Sequence, residues 1–349
     1  GRVVVFGRDG GFVREIGPPV ASEDGVIPDG FKYQPTKLTV GPDYRMYVIS
    51  RNSYEGLTVF NADGNFSGFM GAPRVTASVA DLFWYRIATR EQKQRMALFI
   101  PTQFANLTMD NRGFIYVVES GLAKDNSIRR LNPSGEDVLV RNWFHAPMGD
   151  LSTEYPSRLI DIHVKDDGTY RVLDHDHGRV FAYDRNGWLL YVFGSLGEVK
   201  GTFRDPVAVD VLGEDVLVLD RGLKQIVVFS PTDYACLINY ALRLYNAGRY
   251  DESAEVWRTV LRYNSNYDLA YSGLGRAALR QGDAEAALNY FRLGQDRVGY
   301  SKAFDQYRRE LGFASFGKVL TVLSVALVLI WIVSRLGLIR KLTSAAHKA

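Results

Sequence analysis

The densest group of side chains able to do chemistry is the run Asp174-His175-Asp176-His177, and His163 lies shortly before it. Imidazole nitrogens and carboxylate oxygens are ligands that divalent metal ions accept in proteins. One hypothesis is therefore a metal site built from His163, His175, His177 and Asp174.

Other catalytic or cofactor signatures are absent from the sequence. There is no G-x-S-x-G elbow, no G-x-G-x-x-G after a strand and no P-loop, so a serine triad or a nucleotide cofactor has no support. Cys236 is the single cysteine, which excludes an intrachain disulfide. The net charge of +3 comes without a run of five basic residues, so we expect no nucleic-acid binding. Because the motifs above are missing, we also expect no cofactor.

The elements that position these residues repeat along the first two thirds of the chain. Phe99–Glu119 aligns without a gap on Glu154–Asp174, and Tyr33–Ser50 and Phe203–Asp220 follow the same plan. Each copy has an apolar strand, a polar turn and a second apolar strand that ends in an acid or Ser. The aligned pairs include Pro101 with Pro156, Gly113 with Gly168, and Glu119 with Asp174.

A third apolar run follows each copy, and a short fourth run follows some of them. Four antiparallel strands in a unit of about 40 to 50 residues are typical of a propeller blade. The opening runs Val3–Phe6 and Phe12–Ile16 look like the last two strands of another blade. We therefore expect further strands before Gly1 and a propeller of five or six blades. The third strands are predicted at Leu57–Phe60, Ile128–Leu131, Val180–Tyr183 and Ile226–Phe229.

The repeat resembles the NHL family of propellers. The resemblance covers residues 1–231 and implies the fold more strongly than any activity. It also implies that Asp174-His175-Asp176-His177 is the turn between second and third strands, with His177 where the family often has Asn. Two enzyme groups with similar propellers, gluconolactonase-type lactonases and peptidyl amidating lyases, hold metals through residues that we cannot match here. A metal-dependent hydrolase or lyase therefore remains the alternative to the turn. The residues that carry the resemblance are Pro156, Gly168, Asp174, Arg179, Val180, Pro206 and Asp220.

Residues 74–96 interrupt the repeats with a helical spacing of apolar residues. The cluster is too apolar for a free loop, so it either plugs the rim of the propeller or docks on a partner or membrane. Its members are Leu82, Phe83, Trp84 and Tyr85.

From Thr232 onward the apolar period becomes helical. Gly248-Arg249-Tyr250 recurs as Gly282-Asp283-Ala284 after 34 residues, the length of a tetratricopeptide (TPR) repeat. We predict a TPR pair with a capping helix over residues 232–311, the cap lying at Ser301–Leu311. TPR units bind peptides or proteins on a concave face, and otherwise the polar residues there form a solvated surface. The candidate contacts are Asn239, Arg243, Asn246 and Arg276.

Residues 312–340 are predicted to form one transmembrane helix, followed by a short tail at 341–349. Val319–Ser334 carries no charge, and its extension through Arg335 to Ile339 reaches 21 residues, about 31 Å of helix. Basic residues near the two ends are tied at four each, so charge does not set the orientation. The residues chosen to mark the span are Val319, Leu327, Trp331 and Ser334.

The order of propeller, TPR pair and span resembles an exported protein family of Gram-positive bacteria, often followed by a Yip1-like membrane domain. The resemblance implies a single-pass protein of the cell membrane, with its propeller and TPR pair outside the cytoplasm. It also implies a role near carbohydrate ABC transporters, with transporter permeases, a peptide or a glycan as partners. We therefore predict a binding or scaffold protein anchored in the lipid bilayer. The alternatives are the metal-dependent enzyme and a tail-anchored cytoplasmic adaptor.

Overall fold

The computed structural model describes residues 1–20, 26–51, 53–72, 103–122, 127–141, 148–150 and 155–346. The chain divides into two compact units, Gly1–Ala235 and Cys236–Ala349. The first is built from β-strands, and the second from α-helices.

The first unit contains five antiparallel sheets among the described residues, and each is a meander in chain order. The third strands predicted from the sequence are present, two of them beginning one residue earlier than predicted. Sheet 1 contains β1 (Val3–Phe6) and β2 (Phe12–Ile16). Sheet 2 contains β3 (Pro35–Val40), β4 (Met46–Ser50), β5 (Leu57–Phe60) and β6 (Phe66–Met70). Sheet 3 contains β7 (Phe104–Met109), β8 (Ile115–Glu119) and β9 (Ile128–Leu131). Sheet 4 contains β10 (Leu159–Val164), β11 (Tyr170–Asp174), β12 (Arg179–Tyr183) and β13 (Leu189–Phe193). Sheet 5 contains β14 (Pro206–Leu212), β15 (Asp215–Asp220) and β16 (Gln225–Phe229).

The repeat in the sequence is also a repeat in strand register. In sheets 2 to 5 the first residue of the first strand pairs with the last residue of the second, and the register shifts directly after it. A register shift marks a β-bulge, which bends a strand and re-aims a side chain. The four pairs are Pro35 with Ser50, Phe104 with Glu119, Leu159 with Asp174, and Pro206 with Asp220.

In sheets 3 and 4 the polar turn between the first and second strands contains a glycine in the left-handed conformation. Gly113 and Gly168, which align in the sequence, have φ values of 82° and 83°. This left-handed conformation is costly for residues with a Cβ. Each glycine N–H closes its turn on the carbonyl of Asp110 or Lys165, at 3.0 and 2.9 Å.

The sheets adjoin along their first strands, with β3 beside β7, β7 beside β10, and β10 beside β14. Apolar clusters fill the spaces between successive sheets. In sheets 2, 3 and 4 the second strand is buried at every residue, because a neighbouring sheet covers each of its faces. Small meander sheets arranged around their first strands are the blade arrangement of a propeller.

The second unit contains five described helices: α1 (Asp233–Asn246), α2 (Tyr250–Tyr263), α3 (Asp268–Gln281), α4 (Ala284–Leu293) and α5 (Arg297–Ala346). The first four form two consecutive pairs with short connections. The predicted capping helix Ser301–Leu311 is the beginning of α5, a single helix of 50 residues.

The predicted membrane span is wrong. Within the described part of the chain, no helix combines the length and apolar character needed to cross a bilayer. The uncharged run Val319–Ser334 is 16 residues long, about 24 Å of helix, whereas the hydrocarbon core of a bilayer is about 30 Å thick. The predicted length of 21 residues depended on extending the run through Arg335. The prediction of a single-pass protein of the cell membrane with external domains is wrong for the same reason. Val319, Leu327 and Trp331 are exposed residues of α5, and the side chain of Ser334 lies outside the described set.

Candidate functional site

The acid that ends the second strand of sheet 4 is fully buried and holds the loops around it. Asp174 Oδ2 accepts hydrogen bonds from Ser157 Oγ at 2.6 Å and from the ring of His177, whose Nδ1 is 2.7 Å away. Its other oxygen accepts the N–H groups of Arg158 and Asp176, at 3.0 and 3.1 Å. These four hydrogen bonds to one carboxylate hold together the turn that was expected between the second and third strands.

The equivalent acid in sheet 5 has the same role. Asp220 accepts the N–H groups of Arg204, Asp205 and Leu223, at 2.7, 3.1 and 3.0 Å. Burial acts to raise the pKa of Asp220, but these backbone donors outweigh it and the pKa is lowered. The acid at the end of the second strand is therefore part of the blade repeat.

His175 links the turn of sheet 4 to the start of sheet 5. Its Nδ1 lies 2.7 Å from Asp176 Oδ1 and also contacts Arg158, while its Nε2 lies 3.1 Å from Asp205 Oδ1. Arg158 also pairs with Asp176 at 2.6 Å, and Arg221 pairs with Asp205 at 2.7 Å. Hydrogen bonds from these two arginines lower the pKa values of Asp176 and Asp205 respectively.

The structure does not assemble the predicted histidines into one centre. His163 lies near the far end of β10 from the His175 turn, and its Nδ1 is 2.8 Å from Asp210 Oδ1. Burial lowers the pKa of His163. Among the described residues, no three His, Cys, Asp or Glu side chains are placed to hold one metal ion.

A second polar cluster lies on the first strands of the sheets, and no site was predicted there from the sequence. Asp161, on β10, is 5% exposed. Its Oδ2 accepts the N–H of Val209 on β14 at 2.7 Å, and its Oδ1 accepts the side-chain amide of Asn106 on β7. One carboxylate therefore ties the first strands of sheets 3, 4 and 5.

Burial raises the pKa of Asp161, although hydrogen bonds from Val209, Ile162 and Asn106 and the charge of Lys37 act to lower it. Lys37, Asn106 and Asp161 occupy the same position of the repeat, directly after the register shift. A polar residue at the same place in successive apolar strands was the signal that could have identified this cluster.

On the helical unit, the two arginines among the predicted contact residues lie beside tyrosines. Arg276 lies 5.6 Å from the ring centre of Tyr245, and Arg243 lies 5.9 Å from that of Tyr240. Arg276 also approaches buried Asp296 at 3.5 Å. A third pair was not predicted: the guanidinium of Arg280 lies 4.6 Å from the ring centre of Tyr250. Asn246 is exposed and Asn239 is half-buried.

The apolar cluster of the insertion, Leu82, Phe83, Trp84 and Tyr85, lies outside the described residues. Its predicted role as a rim plug or docking segment stays a prediction.

No family model and no curated protein matches this chain. Among solved structures, a streptogramin B lyase is 13% identical with a TM-score of 0.37, over 66% of this chain and 63% of its own. Virginiamycin B lyase from Staphylococcus aureus is 12% identical with a TM-score of 0.32, over 58% of this chain and 57% of its own. YCF48 from Cyanidioschyzon merolae is 11% identical with a TM-score of 0.35, over 59% of this chain and 56% of its own. The chain thus spans less than two thirds of each, and at such low identities and TM-scores these likenesses say nothing about its activity.

Proposed function

We propose that this chain is a non-enzymatic binding or scaffold protein whose helical unit docks an acidic, extended segment of a partner protein. The observation that carries the proposal is the set of three arginine–tyrosine contacts on α1, α2 and α3. Arginine and tyrosine are enriched among residues that dominate protein interfaces, and a guanidinium over an aromatic ring keeps its donors for a carboxylate.

The charges on this surface favour an acidic partner. Arg243 and Arg280 are exposed, and Arg280 makes no ion pair with any residue that the structure describes. Arg276 is half-buried, and its guanidinium pairs with the carboxylate of Asp296 at 3.5 Å. A carboxylate of the partner would find the exposed guanidinium of Arg280 on this surface.

The helix pairs support assignment to the TPR type as part of this proposal. Gly248 and Gly282, which stand 34 residues apart in the sequence, both have left-handed φ values, 78° and 84°. Ser253, where TPR units usually have Ala, donates a hydrogen bond to the carbonyl of Ala241 at 2.8 Å. Ser in place of Ala thus adds a hydrogen bond between α1 and α2 and enlarges the side chain by only one oxygen atom.

The alternative of a metal-dependent hydrolase or lyase receives no support from the histidines. Each of His163, His175 and His177 contacts a carboxylate within its own turn or neighbouring strand. The partners predicted from the sequence were a transporter permease, a glycan or a peptide. Of these we propose only a peptide-like segment, because its carboxylates would pair with the arginines of this surface.

The test is fluorescence anisotropy with two labelled peptides of equal length, one rich in Asp and Glu and one with the matching amides. We expect the acidic peptide to bind, with an affinity that falls as salt rises. Changing Arg243 and Arg280 together to Gln should lower the affinity about tenfold, which corresponds to about 1.4 kcal/mol.

The matched control is Arg258→Gln. Arg258 is an exposed arginine of α2 that contacts Glu255 within its own helix. Equal binding of the amide peptide, or an equal loss in the Arg258 variant, would contradict a specific arginine surface.

A further inference from the structure

Sheet 5 has one apolar face that is open to solvent. Val216 and Val218 on β15 are buried in the cluster shared with sheet 4. Because side chains alternate between the two faces of a strand, Leu219 points away from sheet 4, together with Ile226, its partner on β16. Leu219 is 43% exposed and Ile226 is 60% exposed, and Val228 on the same side of β16 is 56% exposed. We call Leu219, Ile226 and Val228 the open face of sheet 5.

The corresponding face is buried in the two preceding sheets. Leu219 directly precedes the acid that ends the second strand, and in sheets 3 and 4 the residue at that position also pairs with an apolar residue of the third strand. All four residues of those two pairs are 0% exposed, because the next sheet along the chain covers them. A face that another sheet covers elsewhere in the repeat is therefore uncovered in sheet 5. The pairs are Val118 with Ile128 in sheet 3, and Leu173 with Val180 in sheet 4.

The buried copies of this face show what kind of surface fits it. Phe203, which directly precedes β14, is fully buried in the cluster that contains Leu173 and Val180. Phe104 at the start of β7 lies in the cluster that contains Leu57 of sheet 2. A small antiparallel sheet that presents phenylalanine therefore matches the open face of sheet 5.

Sheet 1 has such a surface. Val3 and Ile16 pair with each other and pack against sheet 2. Phe6 lies three residues after Val3 on β1, so it points away from sheet 2, and it pairs with Phe12 on β2. The two rings meet edge to face with centres 6.5 Å apart, and they are 60% and 66% exposed. We call Phe6 and Phe12 the open face of sheet 1.

We propose that the open face of sheet 5 in one copy of this chain packs against the open face of sheet 1 in a second copy. Contiguous exposed apolar side chains mark interaction surfaces. Both faces are exposed within a single chain, so neither covers the other there. A second copy offers sheet 5 the same kind of cover that sheet 5 itself gives to sheet 4.

The two faces are different surfaces, so a two-fold dimer makes the contact twice, with sheet 5 of each copy on sheet 1 of the other. Two contacts double the apolar area that is removed from water, and a standard interface needs about 800 Å² on each partner. The contact lies in the propeller unit and does not depend on the arginine surface of the helical unit. It therefore adds self-association to the proposed function.

Sedimentation velocity of the full chain over a hundredfold range of protein concentration tests the proposal. We expect the wild type to associate as the concentration rises. Ile226→Lys should raise the dissociation constant at least about tenfold, because the contact would bury an ammonium group among apolar side chains. Phe6→Lys should have a similar effect from the other side. Both side chains are exposed in the single chain, so circular dichroism should show that each variant keeps the fold.

The matched control is Val199→Lys. Val199 is an apolar residue with 72% exposure between β13 and β14, outside both open faces. Lysine there adds the same charge, and the dissociation constant should stay at the wild-type value.

Mixing two variants tests which faces meet. Ile226→Lys and Phe6→Glu should each associate weakly when alone. In the mixture one contact joins opposite charges and the other contact is unaltered, so the mixture should associate more tightly than either variant by itself.

Three results would overturn the proposal. The first is a monomer at every concentration. The second is association that Ile226→Lys leaves unchanged, which would place the contact elsewhere, for example on the exposed apolar residues of α5. The third is an effect of Ile226→Lys without an effect of Phe6→Lys, because sheet 5 would then meet a surface other than sheet 1.

Discussion

At the scale of single residues, the side chains that looked most reactive in the sequence have structural roles. Asp174 and Asp220 close equivalent loops through backbone N–H groups, and His177 joins the first of them. Asp161 has the most consequential position, since its carboxylate meets three first strands in a buried setting. Asp161, the carboxylate that connects three sheets of the propeller unit, was not among the residues predicted from the sequence.

We expect Asp161→Asn to lower the free energy of unfolding by about 2 kcal/mol near pH 4, because the NH₂ group of the new amide must face a donor, either the Asn106 amide or the Val209 N–H. Burial raises the folded-state pKa of Asp161, so its contribution is fully present below the unfolded value, about 3.9, and is lost as pH rises through the folded value. The deficit of the variant should therefore shrink as pH rises. Denaturant unfolding at several pH values measures it. Asp166→Asn, at an exposed position of the turn between β10 and β11, is the control and should change the free energy of unfolding by less than about 0.5 kcal/mol.

Arg158→Gln should show the opposite dependence on pH. Arg158 lowers the folded-state pKa of Asp176, so the pair stabilises the fold above the unfolded pKa and ceases to do so as pH falls through the folded value. Both side chains are more than a third exposed, so solvent screening limits the loss to about 0.5 kcal/mol at pH 7. The loss should vanish in strong acid. Arg158→Lys, which keeps the charge, should lose less, and a deficit that stays constant with pH would rule out the ion pair as its cause.

At the scale of elements, the helices approach closely where glycine faces an aromatic ring. A Cβ at Gly275 on α3 would lie 2.8 Å from the Phe291 ring, and one at Gly273 would lie 2.3 Å from Trp257. Trp257 and Phe291 are 2% and 1% exposed, so neither ring can move into solvent without leaving the core. These two contacts fix the spacing of α2, α3 and α4.

Gly275→Ala should therefore destabilise the helical unit by about 1–3 kcal/mol, since the added methyl displaces a buried ring. Gly312→Ala is a matched control of opposite sign. Gly312 is exposed in α5 with no atom near its Cβ position, and Ala there should stabilise by about 0.5–1 kcal/mol through helix propensity. Circular dichroism at increasing denaturant compares the two. If both substitutions shift the midpoint alike, the close packing of Gly275 and Phe291 does not matter.

The strands and helices were predictable from the sequence where the pattern that marks them lies within a short stretch of residues. Alternating apolar residues, turn glycines such as Gly168 and the 34-residue spacing of Gly248 and Gly282 identified the sheets and the helix pairs. The role of Asp161 was not predicted, because its hydrogen-bond partners Asn106 and Val209 lie far away in sequence. The prediction of a membrane span was wrong because the uncharged run was extended through Arg335. Hydropathy alone does not show where such a run ends.

At the scale of the whole molecule, each compact unit has a core of its own. The first unit has separate apolar clusters between successive sheets, including one around Tyr116 and Tyr170. The second has a cluster of small residues around Phe291. Units with separate cores usually unfold as separate cooperative blocks.

We therefore expect damage to one core to stay within its unit. In Gly275→Ala, hydrogen exchange followed by mass spectrometry should quicken in peptides from α2, α3 and α4, because the Phe291 contact is strained there. Peptides from β8 and β11 should exchange as in the wild type, since their protection comes from the clusters between sheets. Asp161→Asn should give the reverse pattern, with faster exchange in β7, β10 and β14. If either substitution accelerates exchange in both units equally, the chain unfolds as one cooperative body, and the arginine surface of the helical unit could not be studied independently of the propeller.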